Sequence, residues 1–179
     1  YKYEPKIIKP YNEIVSDVKE LFDNAIKRHM ISDAPIGTFL SGGLDSSAIT
    51  AIASKYKTNL QTLSLVFEDK ELSEEYYQDL VVKKYNTKHT KYLISEKLFL
   101  SSIDDFFEAM EQPTIDGLNT FFVSKAAKES VLTTVLSGVG GDEIFYGYPS
   151  FKDGKTLRFL SKIPYSLIKI FEYYKKLLF

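Results

Sequence analysis

The 179-residue sequence has no cysteine and no tryptophan, only two histidines, two methionines and two arginines, and no apolar run long enough to span a bilayer. Each shortage removes a class of function. Without cysteine there is no disulfide framework, no thiolate metal site and no cysteine nucleophile. The two histidines form no ligand set: His29 falls at the end of a helical pattern, where a capping or surface role is ordinary, and His89 has no partner at metal-ligand spacing. A formal net charge of -1, with 21 lysines dispersed along the chain, gives no electrostatic footprint for nucleic acid, so no nucleic-acid partner is expected. No signal peptide is visible either. A cytoplasmic enzyme domain with no membrane partner is therefore the expectation.

The composition that remains is ordinary for a globular chain, 44% hydrophobic and 15% aromatic, and the length suits one α/β domain with a sizeable core. Residues 36–40 (IGTFL) read as a short buried strand, 60–67 (LQTLSLVF) as a second, 89–94 (HTKYLI) as a third and 132–136 (LTTVL) as a fourth. Helical patterns alternate with them. After a proline-spaced lead from Pro5 to Pro10, Ile14, Val18, Leu21, Phe22 and Ala25 share one helix face, ending near Met30. Ala48, Ile49, Ile52 and Ala53 line a helix opening at Ser46. Ser73 reads as the N-cap of the next, with Glu74 and Glu75 in its first turn and its end near Tyr85. One helix with Phe106, Phe107 and Met110 is expected over residues 101–111, followed by an irregular polar stretch at 112–120 and a helix carrying Phe121, Phe122, Ala126 and Ala127. This alternation predicts βαβ units and a parallel sheet flanked by helices, with ligands beyond the carboxyl ends of the strands.

Two glycine-rich stretches leave those strand ends. In Leu40 Ser41 Gly42 Gly43 Leu44 Asp45 Ser46 Ser47 the chain passes from apolar strand to small residues to helix, so backbone N–H groups can converge where the helix dipole favours an anion. Phosphate is the natural guest. The loop lacks the lysine of a GxxxxGK[ST] P-loop, and the later Gly154 Lys155 Thr156 is no substitute, because Pro149 stands where the first glycine belongs. Ser137 Gly138 Val139 Gly140 Gly141 Asp142 Glu143 leaves the fourth strand in the same manner. Two such loops on one sheet can face one ligand, and Asp45 and Asp142 are then candidates to share Mg²⁺, which takes oxygen ligands and bridges carboxylates to phosphates; a helix N-cap is the plain alternative for Asp142.

SGGLDSS resembles the pyrophosphate-binding loop (SGGxDS) of the N-type ATP pyrophosphatases, which cleave ATP between its α and β phosphates. Together with SEEYYQDLVVKKYNTKH, EQPTIDGLNT and SGVGGDEIFYGYPSF, in that order over residues 11–151, it is similar to the synthetase domain of the glutamine-dependent asparagine synthetase family. The resemblance implies an adenine nucleotide alpha hydrolase-like α/β fold over residues 1–154, with ATP and Mg²⁺ as cofactors. It implies a small-molecule carboxylate, activated as its adenylate with release of pyrophosphate and then transferred to ammonia or an amine. Matched position by position, Ser41, Gly42, Gly43, Asp45, Ser46 and Ser47 hold the pyrophosphate, and Asp45 and Asp142 are the magnesium carboxylates on which catalysis depends. Leu40, Leu65 and Gly138 surround the adenosine, and Glu74 matches a recurrent acid with no assigned role.

The sequence departs from the family pattern in three ways. Val139 stands where asparagine synthetases carry a glutamate tied to amide formation and beta-lactam synthetases a tyrosine. Tyr146 stands where glycine is usual. The family's upstream glutaminase domain and its downstream helical region, with a lysine near the phosphates, are not in these residues. The chain, which opens at Tyr1 and closes on an apolar helical pattern, reads as a piece of something longer. Residues 155–179 form a basic amphipathic tail split by Pro164, expected to pack on that downstream region or on a second copy in a homo-oligomer rather than on a membrane. Other readings of the same loop are tRNA thiolation, NAD synthesis and a non-catalytic nucleotide-binding module. Thiolation fits poorly without cysteines or a basic surface, and Val139 is what motivates the last.

Overall fold

In chain order the elements are α1 (Tyr11–His29), β1 (Ile36–Phe39), α2 (Leu44–Tyr56), β2 (Gln61–Phe67), α3 (Glu75–Tyr85), β3 (Lys88–Ile94), α4 (Glu96–Ser101), α5 (Ile103–Ala109), α6 (Gly117–Glu129), β4 (Thr134–Leu136) and α7 (Gly141–Phe145). They come from a computed structural model that describes residues 9–69 and 73–148; the expected tail at 155–179 and the Gly154 triplet lie outside the described residues. The chain divides between Gly138 and Val139 into two compact units. The first carries the sheet and α1 to α6, and the described part of the second carries α7.

All four strands are parallel, in the order β3-β2-β1-β4. The chain builds outward from β1 through β2 to β3, then returns to the other side of β1. That reversal puts the topological switch between β1 and β4, whose ends carry the two glycine-rich stretches.

Because strand side chains alternate, the register sorts the sheet into two faces. Thr38 pairs with Thr62 and with Leu136 on the face toward α1 and α2, where Ile26, Ile49, Ala53 and Leu60 form a buried cluster. Leu63 lies on the other face with Ala126, Ala127 and Leu132 around α6, and Phe39, Leu65 and Tyr92 pack against them. Burying one such leucine contributes about 1.5–3 kcal/mol. Among the described residues no helix is long and apolar enough to cross a membrane.

The strands and α1 form where periodicity places them, whereas several helix boundaries differ. The expected helix over 101–111 is two, α4 and α5, meeting at Ser102, which is buried and whose hydroxyl accepts a hydrogen bond from Lys125 Nζ at 3.3 Å. Ser95 caps α4 by accepting from the Leu98 N–H. The N-cap of α3 is Glu74 rather than Ser73; Ser73 Oγ instead takes the Glu75 N–H from one residue further out. α2 starts at Leu44, two residues earlier than the apolar pattern, and α6 starts at Gly117 inside the stretch expected to be irregular. Apolar spacing registers a helix where it packs, while the first turn is set by which N–H groups find acceptors.

Candidate functional site at the ends of β1, β2 and β4

β1 delivers the chain into a turn shaped by two hydroxyls. The Ser46 hydroxyl donates to the Gly43 carbonyl at 3.2 Å and receives the Ser41 N–H at 3.2 Å. With that proton committed, the Ser41 hydroxyl is the donor in its 2.9 Å contact with Ser46 Oγ, and Ser41 Oγ accepts the Gly43 N–H at 3.2 Å. Gly42 bends the chain at φ +97°, a conformation suited to glycine. Gly43 is the N-cap of α2 and offers no side-chain cap.

This wiring leaves the helix start open. The first bond of α2 runs from the Ser47 N–H to the Gly43 carbonyl at 3.1 Å. Among the described residues, the N–H groups of Gly42, Leu44, Asp45 and Ser46 have no acceptor. Four unpaired donors at a helix N-terminus are what an oxyanion requires, so the turn fits a phosphate. Asp45 and Ser47 are half-buried on the same first turn, and Ser46 is buried. Ser46 therefore shapes the loop with its side chain and has only its N–H left for a ligand.

The end of β4 approaches this turn closely. A Cβ on Gly138 would lie 3.2 Å from Asp45 Cβ and 3.2 Å from the Ser46 nitrogen, tighter than ordinary packing. The absent side chain lets the two strand exits meet.

On the opposite side, β2 and α3 hold the carbonyls of the loop. Leu40, fully buried, donates its N–H to the Leu63 carbonyl at 2.8 Å and gives its own carbonyl to the Ser64 hydroxyl. Gln78, 2% exposed, donates from Nε2 to the Ser41 carbonyl at 3.1 Å and to the Leu65 carbonyl at 3.4 Å, and its Oε1 has no partner among the described residues. A Cβ on Gly42 would meet the Glu74 carbonyl oxygen at 3.1 Å and the Glu74 and Tyr77 Cβ atoms at 3.2 Å. Glu74, Tyr77 and Gln78 thus form one face of the start of α3, on which the loop rests. Glu74 supplies backbone rather than its carboxylate to this support, accepting the Tyr77 and Gln78 N–H groups.

The first unit therefore gathers Leu40, the turn from Ser41 to Ser47, Leu65 and Gly138 in one neighbourhood. Sequence reasoning missed Ser64 and Gln78. A signal existed for Ser64, since a hydroxyl alternating with Thr62 inside a strand as apolar as β2 needs partners there.

The second unit carries Asp142 in the first turn of α7, exposed, after the N-cap Gly140 at φ +96°. A Cβ on Gly147 would overlap the Asp142 carboxylate, and the Gly147 N–H donates to the Asp142 carbonyl at 3.0 Å. Gly147 thus leaves room for the carboxylate to fold over the end of α7. The Tyr148 hydroxyl donates to Glu143 at 2.6 Å and holds that carboxyl below the usual range. Tyr146 takes a left-handed conformation at φ +58°, which explains why glycine suits this position. Val139 is 90% exposed.

Residues 17–176 match the family model described as Asparagine synthase. A Methanocaldococcus jannaschii protein provisionally named asparagine synthetase [glutamine-hydrolyzing] 2 is 38% identical over 156 residues, covering 85% of this chain and 30% of that one. Asparagine synthetase [glutamine-hydrolyzing] 1 of Bacillus subtilis is 31% identical over 161 residues, covering 89% of this chain and 25% of that one. Among solved structures, an NH3-dependent NAD synthetase from Campylobacter jejuni aligns with a TM-score of 0.49 at 17% identity, over 74% of this chain and 60% of that one. The chain thus spans about a quarter to a third of the length of these curated relatives. With the family model matched over most of its length, the chain belongs to the asparagine synthase family.

Proposed function

We propose that this chain is the nucleotide-activating part of an ATP-dependent, amide-forming ligase of the asparagine synthetase type. The observation that carries the reading is the β1 exit: four N–H groups at the start of α2 that have no acceptor among the described residues, beside Gly138 from β4, at the switch point of a parallel sheet. A substrate carboxylate attacks the α phosphorus of ATP, the bond to the bridging oxygen breaks, and the acyl adenylate and pyrophosphate form. Ammonia or an amine then displaces AMP.

Negative charge grows on the departing pyrophosphate, so the N–H groups of Gly42, Leu44, Asp45 and Ser46 do most where the transition state most needs them. Leu40, just past the end of β1, and Leu65, in the carboxyl-terminal half of β2, border the adenosine together with Gly138. No protein nucleophile is required. Asp45 and Asp142 are the proposed Mg²⁺ ligands, supported by their oxygen-donor chemistry and by each following a glycine turn in the first turn of a helix. When bound, the ion supplies positive charge to the phosphates. The reading extends to a glutamine-hydrolysing reaction, which the names of the relatives support, and with it to an upstream glutaminase domain as the ammonia source and a cytoplasmic setting.

Val139 favours one second reading. Valine can neither transfer a proton nor orient a nucleophile, so a nucleotide-binding module without the amide-forming step fits this position. ATP–pyrophosphate exchange by the full-length protein, over a panel of amino and sugar carboxylates, separates the two. Exchange with one of them supports the ligase; ATP binding without exchange on any of them supports the module.

A further inference from the structure

We propose that Gln78 is a positioning residue for the phosphate-binding turn, acting through the peptide that joins Ser41 to Gly42; this rests on the ATP reading above and names the amide on which that reading depends. Its side-chain amide faces two carbonyl oxygens, Ser41 O at 3.1 Å and Leu65 O at 3.4 Å. Only the NH₂ end can serve both, so the network fixes the orientation of the amide. Leu65 belongs to β2, which is paired along its whole length with β3, so this second anchor holds Gln78 against the sheet.

A trans peptide is planar, and its C=O and N–H point in opposite directions. No cis bond occurs among the described residues. With the Ser41 carbonyl drawn toward Gln78, the Gly42 N–H must point away from Gln78, and there it has no acceptor among the described residues. The backbone at Gly42 does not enforce this by itself. Glycine lacks the Cβ that restricts rotation, and φ +97° lies where it moves freely.

Rotating this peptide by half a turn would exchange an N–H for a carbonyl oxygen on the anion side, turning attraction into repulsion. Displacing the turn toward α3 finds little room, because even a Cβ on Gly42 would lie 3.1 Å from the Glu74 carbonyl oxygen. Gln78, 2% exposed, therefore determines which pole of the peptide the pyrophosphate meets.

Titration calorimetry of the full-length protein with inorganic pyrophosphate and, separately, with adenosine tests this in wild type and in Gln78→Met, which keeps the side-chain length and removes both donors. The pyrophosphate Kd is expected to rise at least about tenfold, while the adenosine Kd, set by the rigid strand ends, stays within about twofold. A general structural defect would move both or neither, and either pattern overturns the assignment. Should Gln78→Met not fold, wild type labelled with ¹⁵N-glycine decides: the Gly42 amide resonance shifts on adding pyrophosphate, and no shift overturns the proposal. If wild type binds neither pyrophosphate nor ATP, the ATP reading fails and takes this one with it. If wild type binds pyrophosphate and Gln78→Met binds it equally well, only the role of Gln78 fails.

Discussion

Gly138 leaves only 3.2 Å between its would-be Cβ and that of Asp45, so the end of β4 touches the first turn of α2. This contact brings the two strand exits at the switch point into one neighbourhood. Gly138→Val fills it with three carbons and pushes on both Asp45 Cβ and the Ser46 nitrogen. A displacement of about 1 Å at a positioning group can lower rates on the order of 10²-fold. ATP–pyrophosphate exchange by Gly138→Val is expected to fall by about that factor while the circular dichroism spectrum is retained.

Beneath the loop, the Thr38 and Thr50 hydroxyls bond at 2.9 Å with both residues fully buried, tying β1 to α2. Thr50→Val leaves the Thr38 hydroxyl without its partner and is expected to destabilise by about 1–3 kcal/mol. Replacing both threonines with valine removes the stranded group. The double variant should recover most of the loss in a denaturation-based mutant cycle.

Val131, 72% exposed, adopts φ +57° in the turn that feeds β4. A β-branched residue is strained there, whereas glycine is not. Val131→Gly is expected to raise stability by about 1 kcal/mol, since relief of left-handed strain exceeds the small burial lost. Thermal melting against wild type measures it.

His89 pairs its Nδ1 with Thr62 Oγ1 at 2.9 Å, and its Nε2 is buried without a partner among the described residues. Burial lowers its pKa, reinforced by Lys91 and opposed by Asp79. In the window just below the ordinary value of about 6.5, the unfolded chain therefore binds a proton that the folded chain does not. Stability is expected to fall as pH drops through that window. His89→Asn should flatten this part of the curve, as read by urea midpoints at a series of pH values.

How far the sequence foretold this arrangement depends on the range of the interactions involved. Ile36 to Phe39 and the residues of α2 announce themselves through local periodicity, and Gly42 through the turn it permits. The order β3-β2-β1-β4 does not, because which parallel strands pair is decided by crossover packing far along the chain. In the sequence Gln78 is one polar residue among several in α3. Its burial arises from carbonyls 37 and 13 residues away. Ser102 likewise interrupts a pattern that reads as a single helix, and its partner Lys125 lies 23 residues away on α6.

Asp45→Ala tests the central claim most directly, by ATP–pyrophosphate exchange in the full-length protein with a carboxylate that wild type activates. Asp45 is half-buried on the first turn of α2, so an intact fold is expected together with exchange lowered at least about 10²-fold, comparable to removing one oxyanion donor in other enzymes. An Asp45→Ala protein that exchanges at the wild-type rate contradicts the assignment of this turn as the site where ATP is cleaved.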